Sequence, residues 1–363
     1  MGLFNAHLIS YLVPRNLNSN YNFGFLLGIL FIFQIVSGLL LTFNYVPTNF
    51  GSFESIVKVL FDVNFGWGFR YFHSQGVSFC FLFLWLHIIK GLLYSSKYLP
   101  WSWYSGMVIL ILSMAIAFLG YVLPNGQMSY WGATVITNLF YWAPDFVTVL
   151  LGGYSVGENT LQRFYILHFL LPFVLLFFVI IHIYFLHRCS STNPLSCVDS
   201  YLVVRFYPLV ILNDCRMFVI LLSFIFFQLG FGLISLFQGD VDNSILANPL
   251  QTPQHIVPEW YLLVFYATLK LFPSKLAGLI AMAFLLEVFI ILIESRSISN
   301  ILPCVYYHRV WGSFAMVIVP SMMVLGSLGK MVINSKLLII GVFLFLAIIL
   351  LSLKMLDNSR LRR

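Results

Sequence analysis

Charged side chains are scarce in this sequence. Asp, Glu, Lys and Arg make up 9% of the 363 residues, whereas a typical soluble domain carries about 25%. Hydrophobic residues make up 61% and occur in long runs. Runs of about 18 or more apolar residues are typical of membrane-spanning helices. The sequence therefore excludes an ordinary soluble domain and predicts an all-α integral membrane protein.

Several other patterns are missing as well. No two cysteines form C-x-x-C, so the sequence offers no zinc or redox motif of that kind. Lysine and arginine are scattered, so the net charge of +7 does not predict nucleic-acid binding. Residues 1–20 lack the basic start, apolar stretch and cleavage site of a secretory signal, and we expect no cleaved leader. We interpret the five cysteines as packing residues: Cys80, Cys189, Cys197, Cys215 and Cys304.

Eight apolar segments are long enough to cross a hydrocarbon core of about 30 Å, given a rise of about 1.5 Å per helical residue. We label them spans A to H, at residues 23–46, 69–94, 101–123, 162–187, 216–238, 276–294, 308–329 and 333–354. We expect two units. Residues 1–215 contain spans A to D, and residues 216–363 contain spans E to H.

The even number of spans places both termini on one side of the membrane. That side holds 12 of the 19 lysines and arginines, so the positive-inside rule assigns it to the matrix or cytoplasm. The long connections C–D (124–161) and E–F (239–275) then lie together on the outer side. Both contain apolar and aromatic stretches, so we expect short helices at the membrane surface there.

Four histidines repeat one spacing. His73 and His87 are 14 residues apart in span B, and His168 and His182 are 14 residues apart in span D. Fourteen residues make almost four helical turns, so each pair shares one helix face, about 21 Å apart along the axis. Spans B and D run in the same direction. The spacing therefore predicts that His73 meets His168 near the outer surface and His87 meets His182 nearer the inner surface.

Two histidines without further protein ligands suit a six-coordinate haem iron, whose porphyrin supplies four nitrogens. Zinc would require more ligands from the protein. For any one histidine, a hydrogen bond to a neighbouring helix is the alternative. Two haems about 20 Å apart along the helices would transfer electrons between the two sides of the membrane.

Glycines repeat the same spacing in the neighbouring spans. Gly24 and Gly38 are 14 residues apart in span A, as are Gly106 and Gly120 in span C. A missing side chain lets a flat macrocycle approach the helix, and close helix–helix contact is the alternative. We therefore expect both haems inside the four-helix bundle of spans A to D, with A and C as its walls.

With these repeats and the motifs GYVLPNGQMSYWGATVITNL (120–139) and PEWY (258–261), the chain resembles the cytochrome b family over its whole length. The resemblance implies the di-haem core subunit of quinol–cytochrome c reductase, respiratory complex III. That enzyme oxidises quinol on the outer side and reduces quinone on the inner side, and its Q cycle contributes to proton translocation. The resemblance also implies the mitochondrial inner membrane, with both termini in the matrix, and the bacterial plasma membrane is the alternative.

The resemblance implies an outer quinol site around PEWY. There, the carboxylate of Glu259 accepts a proton from quinol, and the hydroxyl of Tyr266 hydrogen-bonds the ring oxygen. Tyr121 and the surface helix 130–140, with Gly132, would shape the pocket. An interfacial carboxylate and an aromatic belt are the alternatives for these residues.

The resemblance implies an inner quinone site as well. His187 and Asp214, which we expect just before span E, would protonate the two quinone oxygens. Ser191 and Asn22 are further candidates. Helix capping and ordinary interfacial polarity are the alternatives for this group.

Three cations complete the sites that the resemblance implies. Arg70 and Lys90 would neutralise haem propionates, and Arg163 would do the same or anchor its helix end. The sequence departs from the family in four places, which indicates a divergent lineage such as a protist mitochondrion. Asn125 replaces a tryptophan, Lys90 an arginine, Asn213 a lysine and Tyr207 a histidine.

The chain has neither iron–sulfur ligands nor the C-x-x-C-H motif of a c-type cytochrome. The resemblance therefore implies an iron–sulfur protein and a c-type cytochrome as partners, together with lipid, quinone and a homodimeric complex. A nicotinamide-dependent haem reductase would need a G-x-G-x-x-G motif, which is absent. A proton-relay transporter would not explain the 14-residue repeats. Glu287, inside span F, is either a proton relay or a paired polar group.

Overall fold

The computed structural model describes the backbone of residues 2, 5–94, 99–194, 202–232, 234, 238–294 and 304–360, and their side chains except at 291–294, 304–315 and 354–360. Cys197 and four basic residues of the orientation argument lie outside the described residues: Lys97, Arg296, Arg362 and Arg363. The α-helices of the described chain are α1 Phe23–Thr42, α2 Gly51–Phe61, α3 Gly66–Leu93, α4 Pro100–Val122, α5 Gln127–Thr137, α6 Pro144–Leu151, α7 Glu158–Cys189, α8 Leu209–Phe231, α9 Leu263–Lys270, α10 Lys275–Glu294, α11 Cys304–Lys330 and α12 Ser335–Arg360.

Eight of these helices have 20 or more residues and coincide with the predicted spans A to H: α1, α3, α4, α7, α8, α10, α11 and α12. By length and composition, six segments of the described chain can cross a membrane: Ser19–Thr42, Gly66–Leu93, Pro100–Val122, Glu158–Cys189, Leu209–Phe231 and Ser335–Leu353. The all-α membrane class is confirmed. The count of eight spans stays a prediction.

The start of span E was predicted wrongly. It was expected to begin at residue 216. The helix α8 begins at Leu209, with Pro208 as its N-cap residue. Asp214 therefore lies inside the helix, not before it, and its side chain is buried.

The bundle of the first half has two pairs of packed helices. Helix α1 packs along α3, and α4 packs along α7. Leu26, Phe79 and Leu110 are buried in one core between them. Helix α7 leaves apolar side chains such as Ile166 and Ile180 exposed, which suits lipid chains as its surroundings.

The two predicted units share their hydrophobic cores. The core around Leu26 includes Leu221 and Phe289 of the second half. A second core joins Leu92, at the end of α3, to Leu285 and other residues of the second half. Hydrophobic packing therefore continues across residue 215. The division of the chain into two units at that residue stays a prediction.

The two long outer connections lie together, as the sequence predicted. The backbone N–H of Gln127 donates to the carbonyl of Ile245 at 3.0 Å, and that of Ala247 donates to the carbonyl of Asn125 at 3.0 Å. The C–D connection contains α5 and α6, and the E–F connection contains α9, so short helices are present in both. Their position at the membrane surface stays a prediction.

At the opposite end, strand β1 (Leu12–Pro14) pairs antiparallel with β2 (Val203–Arg205), in the D–E connection. The sequence analysis missed this pair, because three residues are too few to show an alternating pattern. It also missed α2 in the A–B connection. The cysteine interpretation holds for Cys80, which is buried, but not for Cys189 and Cys215, which are exposed free thiols.

Candidate functional site

Two histidine pairs lie inside the bundle of α1, α3, α4 and α7. The ring centroids of His73 and His168 are 6.2 Å apart, and those of His87 and His182 are also 6.2 Å apart. The structure therefore brings together the same two pairs that the 14-residue spacing predicts.

The separation within each pair fits one metal ion between the rings. Two metal–nitrogen bonds of about 2 Å, together with the distance from each nitrogen to its ring centre, span about 6 Å. In the parts of the chain that the structure describes, no group of three or more His, Cys, Asp or Glu side chains could hold a metal. A metal at either pair thus needs further ligands from a cofactor, and a haem supplies four.

Hydrogen bonds at Nδ1 orient three of the four imidazoles. His168 Nδ1 donates to the carbonyl of Ile116 at 2.9 Å. His73 Nδ1 lies 3.0 Å from Ser37 Oγ, and His182 Nδ1 lies 3.0 Å from Ser105 Oγ. A proton held on Nδ1 leaves the lone pair of Nε2 free to bind a metal. The donor set therefore fits axial ligation of haem iron.

The repeated glycines contact the imidazoles themselves. A Cβ added to Gly38 would stand 2.9 Å from His73 Cε1, and one added to Gly120 would stand 2.5 Å from His168 Cε1. The corresponding distances are 3.3 Å from Gly24 to His87 and 3.3 Å from Gly106 to His182. Each histidine therefore packs against the backbone of the neighbouring helix, so the glycines allow close contact between helices as well as room for a macrocycle.

A cavity of about 530 Å³ connects the outer histidine pair with the E–F connection. Its lining includes His73 and His168 at one end and Glu259 at the other, and Arg70 and Tyr121 also line it. The volume lies in the range of about 300–1,000 Å³ that is typical of small-molecule sites. The structure thus places the predicted proton acceptor and the outer histidine pair on one cavity.

Glu259 is in an environment that favours the protonated carboxyl group. Two effects together raise the pKa of Glu259 to about 7. Burial is the larger effect, and the negative charge of Asp240 is the smaller one. Asp240 lines the same cavity. A carboxyl group with a pKa near neutrality can exchange a proton with a substrate at physiological pH.

The two tyrosines predicted at the outer site differ in their relation to the cavity, and their roles there stay predictions. Tyr121 lines the cavity, and its buried hydroxyl has no hydrogen-bond partner within the described chain. Tyr266 does not line it, and its hydroxyl donates to the carbonyl of Ile256 at 2.9 Å. Tyr261 lines the cavity instead and stacks on Phe81, with centroids 4.0 Å apart. The sequence analysis missed Tyr261, although it belongs to PEWY.

The surface helix α5 was expected to shape the quinol pocket, and that role stays a prediction. Its residues are absent from the cavity lining. An added Cβ on Gly132 would meet nothing within 4 Å, so no close neighbour requires glycine there. The hydrogen bonds of α5 to the E–F connection, including Ser129 N to Asn243 Oδ1 at 2.9 Å, turn its start towards that connection.

The inner-site candidates form two separate groups. Asn22 Nδ2 donates to Asp214 Oδ1, and Asn213 Nδ2 donates to Asn22 Oδ1 at 2.9 Å. His187 belongs to a second group, with its Nδ1 at 3.1 Å from His7 Nδ1 and its ring stacked on Tyr11 at 4.3 Å.

No hydrogen bond joins His187 to Asp214 within the described chain, and Ser191, which is partly buried, joins neither group. His7 was missed because a histidine seven residues from the N-terminus carries no pattern that relates it to residue 187.

The three predicted cations have different surroundings. Arg70 lines the cavity beside His73. Lys90 Nζ lies 3.9 Å from the centre of the Tyr21 ring. Arg163 is exposed and is absent from the cavity lining, and a Cβ on Gly152 would stand 2.9 Å from its Nε. Both predicted roles of Arg163, contact with the cofactor and anchoring of its helix end, stay predictions.

Asn125, one of the departures from the family, adopts a left-handed backbone conformation with φ of 53°. Asparagine tolerates this conformation better than most residues. Its Nδ2 donates to the carbonyl of Asn49 at 2.7 Å, and its own carbonyl accepts from Ala247. Asn125 therefore joins the A–B, C–D and E–F connections.

These features define a class: polytopic helix-bundle membrane proteins with two bis-histidine sites, one nearer each face of the bundle. The chain matches the family model described as "Cytochrome b/b6/petB" over residues 8–190 and the one described as "Cytochrome b(C-terminal)/b6/petD" over residues 246–362. The chain belongs to the cytochrome b family.

Similar proteins span nearly all of this chain. A "Cytochrome b" from Theileria parva is 55% identical over 362 residues, which is 100% of both chains. A "Cytochrome b" from Plasmodium vivax (strain Salvador I) is 48% identical, over 83% of this chain and 78% of that relative. A solved structure, "Hyperthermophilic respiratory Complex III", superposes with a TM-score of 0.89 at 28% identity, over 99% of this chain and 96% of that chain.

The family assigns the chain its general activity. Cytochrome b is the core subunit of quinol–cytochrome c reductase, an oxidoreductase of the respiratory chain. The spanning helices and the complex III relatives indicate an inner-membrane protein that works beside other subunits.

Proposed function

We propose that this chain oxidises quinol at an outer-side site, reduces quinone at an inner-side site and connects the two through two non-covalent b-type haems, as a Q-cycle subunit. The observation that supports this most directly is the pair of histidine sites. Each has ring centroids 6.2 Å apart, and the outer one opens into the cavity of Glu259.

His73 and His168 would hold the outer haem iron, and His87 and His182 the inner one. Bound haems supply one-electron carriers inside the membrane. The glycines Gly24, Gly38, Gly106 and Gly120 keep the histidine rings close to α1 and α4. Arg70 and Lys90 provide positive charge for the propionates, while Arg163 anchors the start of α7.

At the outer site, Glu259 takes a proton from quinol. Its pKa of about 7 allows it to accept that proton and later release it at physiological pH. The unpartnered hydroxyl of Tyr121 is available to bind a quinol oxygen. Tyr266 supports the segment before PEWY through Ile256, and Gly132 has no direct contact with the quinol.

At the inner site, His187 and Asp214 deliver protons to quinone from two sides. Asn22 holds the carboxyl group of Asp214, and His7 and Tyr11 hold the ring of His187. Ser191 lies in the segment between α7 and β2 and would contact the substrate directly. Glu287 stays outside both sites in this proposal.

The wider architecture follows the family. We place eight spans across the mitochondrial inner membrane, haem binding in residues 1–215, the outer quinol segment in residues 216–363 and both termini in the matrix. An iron–sulfur protein and a c-type cytochrome receive the electrons that leave the outer site, lipid surrounds the spans and the complex is a homodimer.

The test is a dithionite-reduced minus oxidised visible spectrum of the purified complex, with the haem content determined per chain. The proposal expects two non-covalent b-type haems with the low-spin spectrum of two axial histidines. One haem per chain, or none, would overturn it. Replacement of His87 by leucine should remove only the inner haem, and replacement of His73 by leucine should remove only the outer one.

A further inference from the structure

We propose that Ser37 and Ser105 are positioning residues that tune one axial histidine of each haem. The inference rests on the haem ligation proposed above. Each serine directly precedes a glycine that faces the same histidine. Ser37 and Gly38 face His73, and Ser105 and Gly106 face His182.

The hydrogen-bond inventory of Ser37 decides which group donates. A serine hydroxyl has one proton and two lone pairs. Ser37 Oγ lies 2.8 Å from the carbonyl of Phe33, one turn back in α1, and a carbonyl can only accept, so this contact takes the hydroxyl proton. Ser37 Oγ also lies 3.1 Å from the carbonyl of Gln34, which likewise can only accept and shares that proton. The contact of 3.0 Å to His73 Nδ1 must then be donated by the imidazole N–H.

Ser105 repeats the arrangement in the other pair. Its hydroxyl lies 2.8 Å from the carbonyl of Trp101, again one turn back, and 2.9 Å from the carbonyl of Ser102. It also lies 3.0 Å from His182 Nδ1. Imidazole N–H, serine oxygen and helix carbonyl therefore form a chain in both places. Each chain fixes the tautomer with Nε2 unprotonated.

The adjacent glycine makes the contact possible. A Cβ at Gly38 or Gly106 would press on the histidine Cε1 at 2.9 or 3.3 Å. The imidazole therefore reaches the serine only because the next residue has no side chain. In each Ser-Gly dipeptide, the glycine leaves room for the edge of the imidazole ring, and the serine oxygen accepts the hydrogen bond from the ring N–H.

An acceptor on Nδ1–H increases the electron density that Nε2 offers to a metal. Greater donation favours ferric over ferrous haem iron, and second-shell hydrogen bonds are among the factors that set haem potentials. Since the two serines face different histidine pairs, removal of one hydroxyl should change the potential of one haem and leave the potential of the other haem unchanged.

The experiment is a redox titration of both haems in the purified complex, for S37A, S37T, S105A and S105T. We expect S37A to raise the midpoint potential of the outer haem alone, and S105A that of the inner haem alone. A shift of up to about tenfold in the ferrous-to-ferric ratio corresponds to about 59 mV for one electron. The threonine variants keep the hydroxyl and should stay near the wild type.

A matched control is S352A. Ser352 is also buried and also bonds the carbonyl one turn back, Ile348 at 2.7 Å, in helix α12 away from both histidine pairs. It should shift neither potential. The ferric electron paramagnetic resonance spectrum should change for the affected haem only.

The outcomes separate this inference from the proposed function. A wild-type complex without two haems overturns the proposed function. Two wild-type haems whose potentials do not move in S37A and S105A, or move together, overturn the serine assignment alone. If an alanine variant loses its haem, threonine and valine variants at the same position test whether the hydroxyl is the cause, because these two side chains have nearly the same shape. Haem kept with threonine and lost with valine supports the assignment, and haem lost with both overturns it.

Discussion

Gly120 lies directly against His168, so closely that a Cβ at position 120 would stand 2.5 Å from the imidazole Cε1. Real Cβ atoms do not occupy such a distance, and the histidine ring would have to move. The helix α4 thus sets the position of a side chain on α7.

Replacement of Gly120 by alanine should therefore displace His168 and reduce outer haem occupancy, while the inner haem remains. Haem content per chain and the reduced visible spectrum measure this. Gly28→Ala is the matched control, since an added Cβ there meets nothing within 4 Å. Unchanged outer haem content in G120A would contradict this prediction, because it would show that α7 can move away from the added methyl group without loss of the haem.

Glu259 should give quinol oxidation a pH dependence with a midpoint near 7. Burial raises its pKa to about 7, and only the ionised carboxylate can accept a proton, so the rate should rise between pH 6 and 8. Glu259→Gln should lower the rate of quinol oxidation about 100-fold or more and remove this rise with pH, the rising limb of the pH profile. A persistent limb in E259Q would assign it to another group.

Asp240 should shift that same profile. Its negative charge is the second cause of the raised pKa of Glu259, so Asp240→Asn should lower that pKa and move the rising limb to lower pH. Asparagine keeps the side-chain oxygen that accepts from the backbone of Asp242. Asp145→Asn, on the exposed surface of α6, is the control and should leave the profile unchanged.

Loss of the Asn22 side chain should destabilise the inner end of the bundle. Asn22→Ala leaves the buried carboxyl group of Asp214 without its amide donor, at a cost of about 1–3 kcal/mol. Asn213→Ala breaks only the bond to Asn22 Oδ1, whereas Asn22→Ala breaks both bonds of the network, so Asn213→Ala should cost less. Thermal unfolding of the detergent-solubilised complex measures both. Equal losses would contradict a network centred on Asn22 and Asp214.

Replacement of Asn125 by tryptophan, the residue that the family usually has, should destabilise the outer connections of this chain. Tryptophan would lose the bond to Asn49 and would be held at a positive φ, which costs about 1–3 kcal/mol. Asn125→Gly keeps the backbone freedom and should lose only the amide bond. The difference in melting temperature between the two variants measures the cost of the positive φ together with that of fitting the indole into a buried position.

The residues that the sequence predicted well are those whose positions follow the helical period. His73 and His87 share a face because 14 residues make nearly four turns, and so do the glycines opposite them. The expected meeting of the two long connections needed only the order of the spans. Such features depend on one helix at a time or on topology.

The residues that the sequence did not predict depend on how neighbouring elements are rotated and joined. Ser37 contacts His73 because of the way in which α1 and α3 are rotated relative to each other. Tyr266 does not line the cavity, and its hydroxyl donates to the carbonyl of Ile256. Asp214 was expected just before its helix and lies inside it. In the structure, its partner Asn22 comes from a segment that is distant in sequence.

The short strand pair near the inner end imposes an order on biogenesis. Leu12 pairs with Arg205, so the residues around Leu12 find their partner only after the four long helices between them have been synthesised. The N-terminal segment, with His7 and Tyr11 against His187, must therefore wait unpaired while the bundle inserts. Closure of the inner face is a late, long-range event whose cost grows only slowly with the length of the intervening chain.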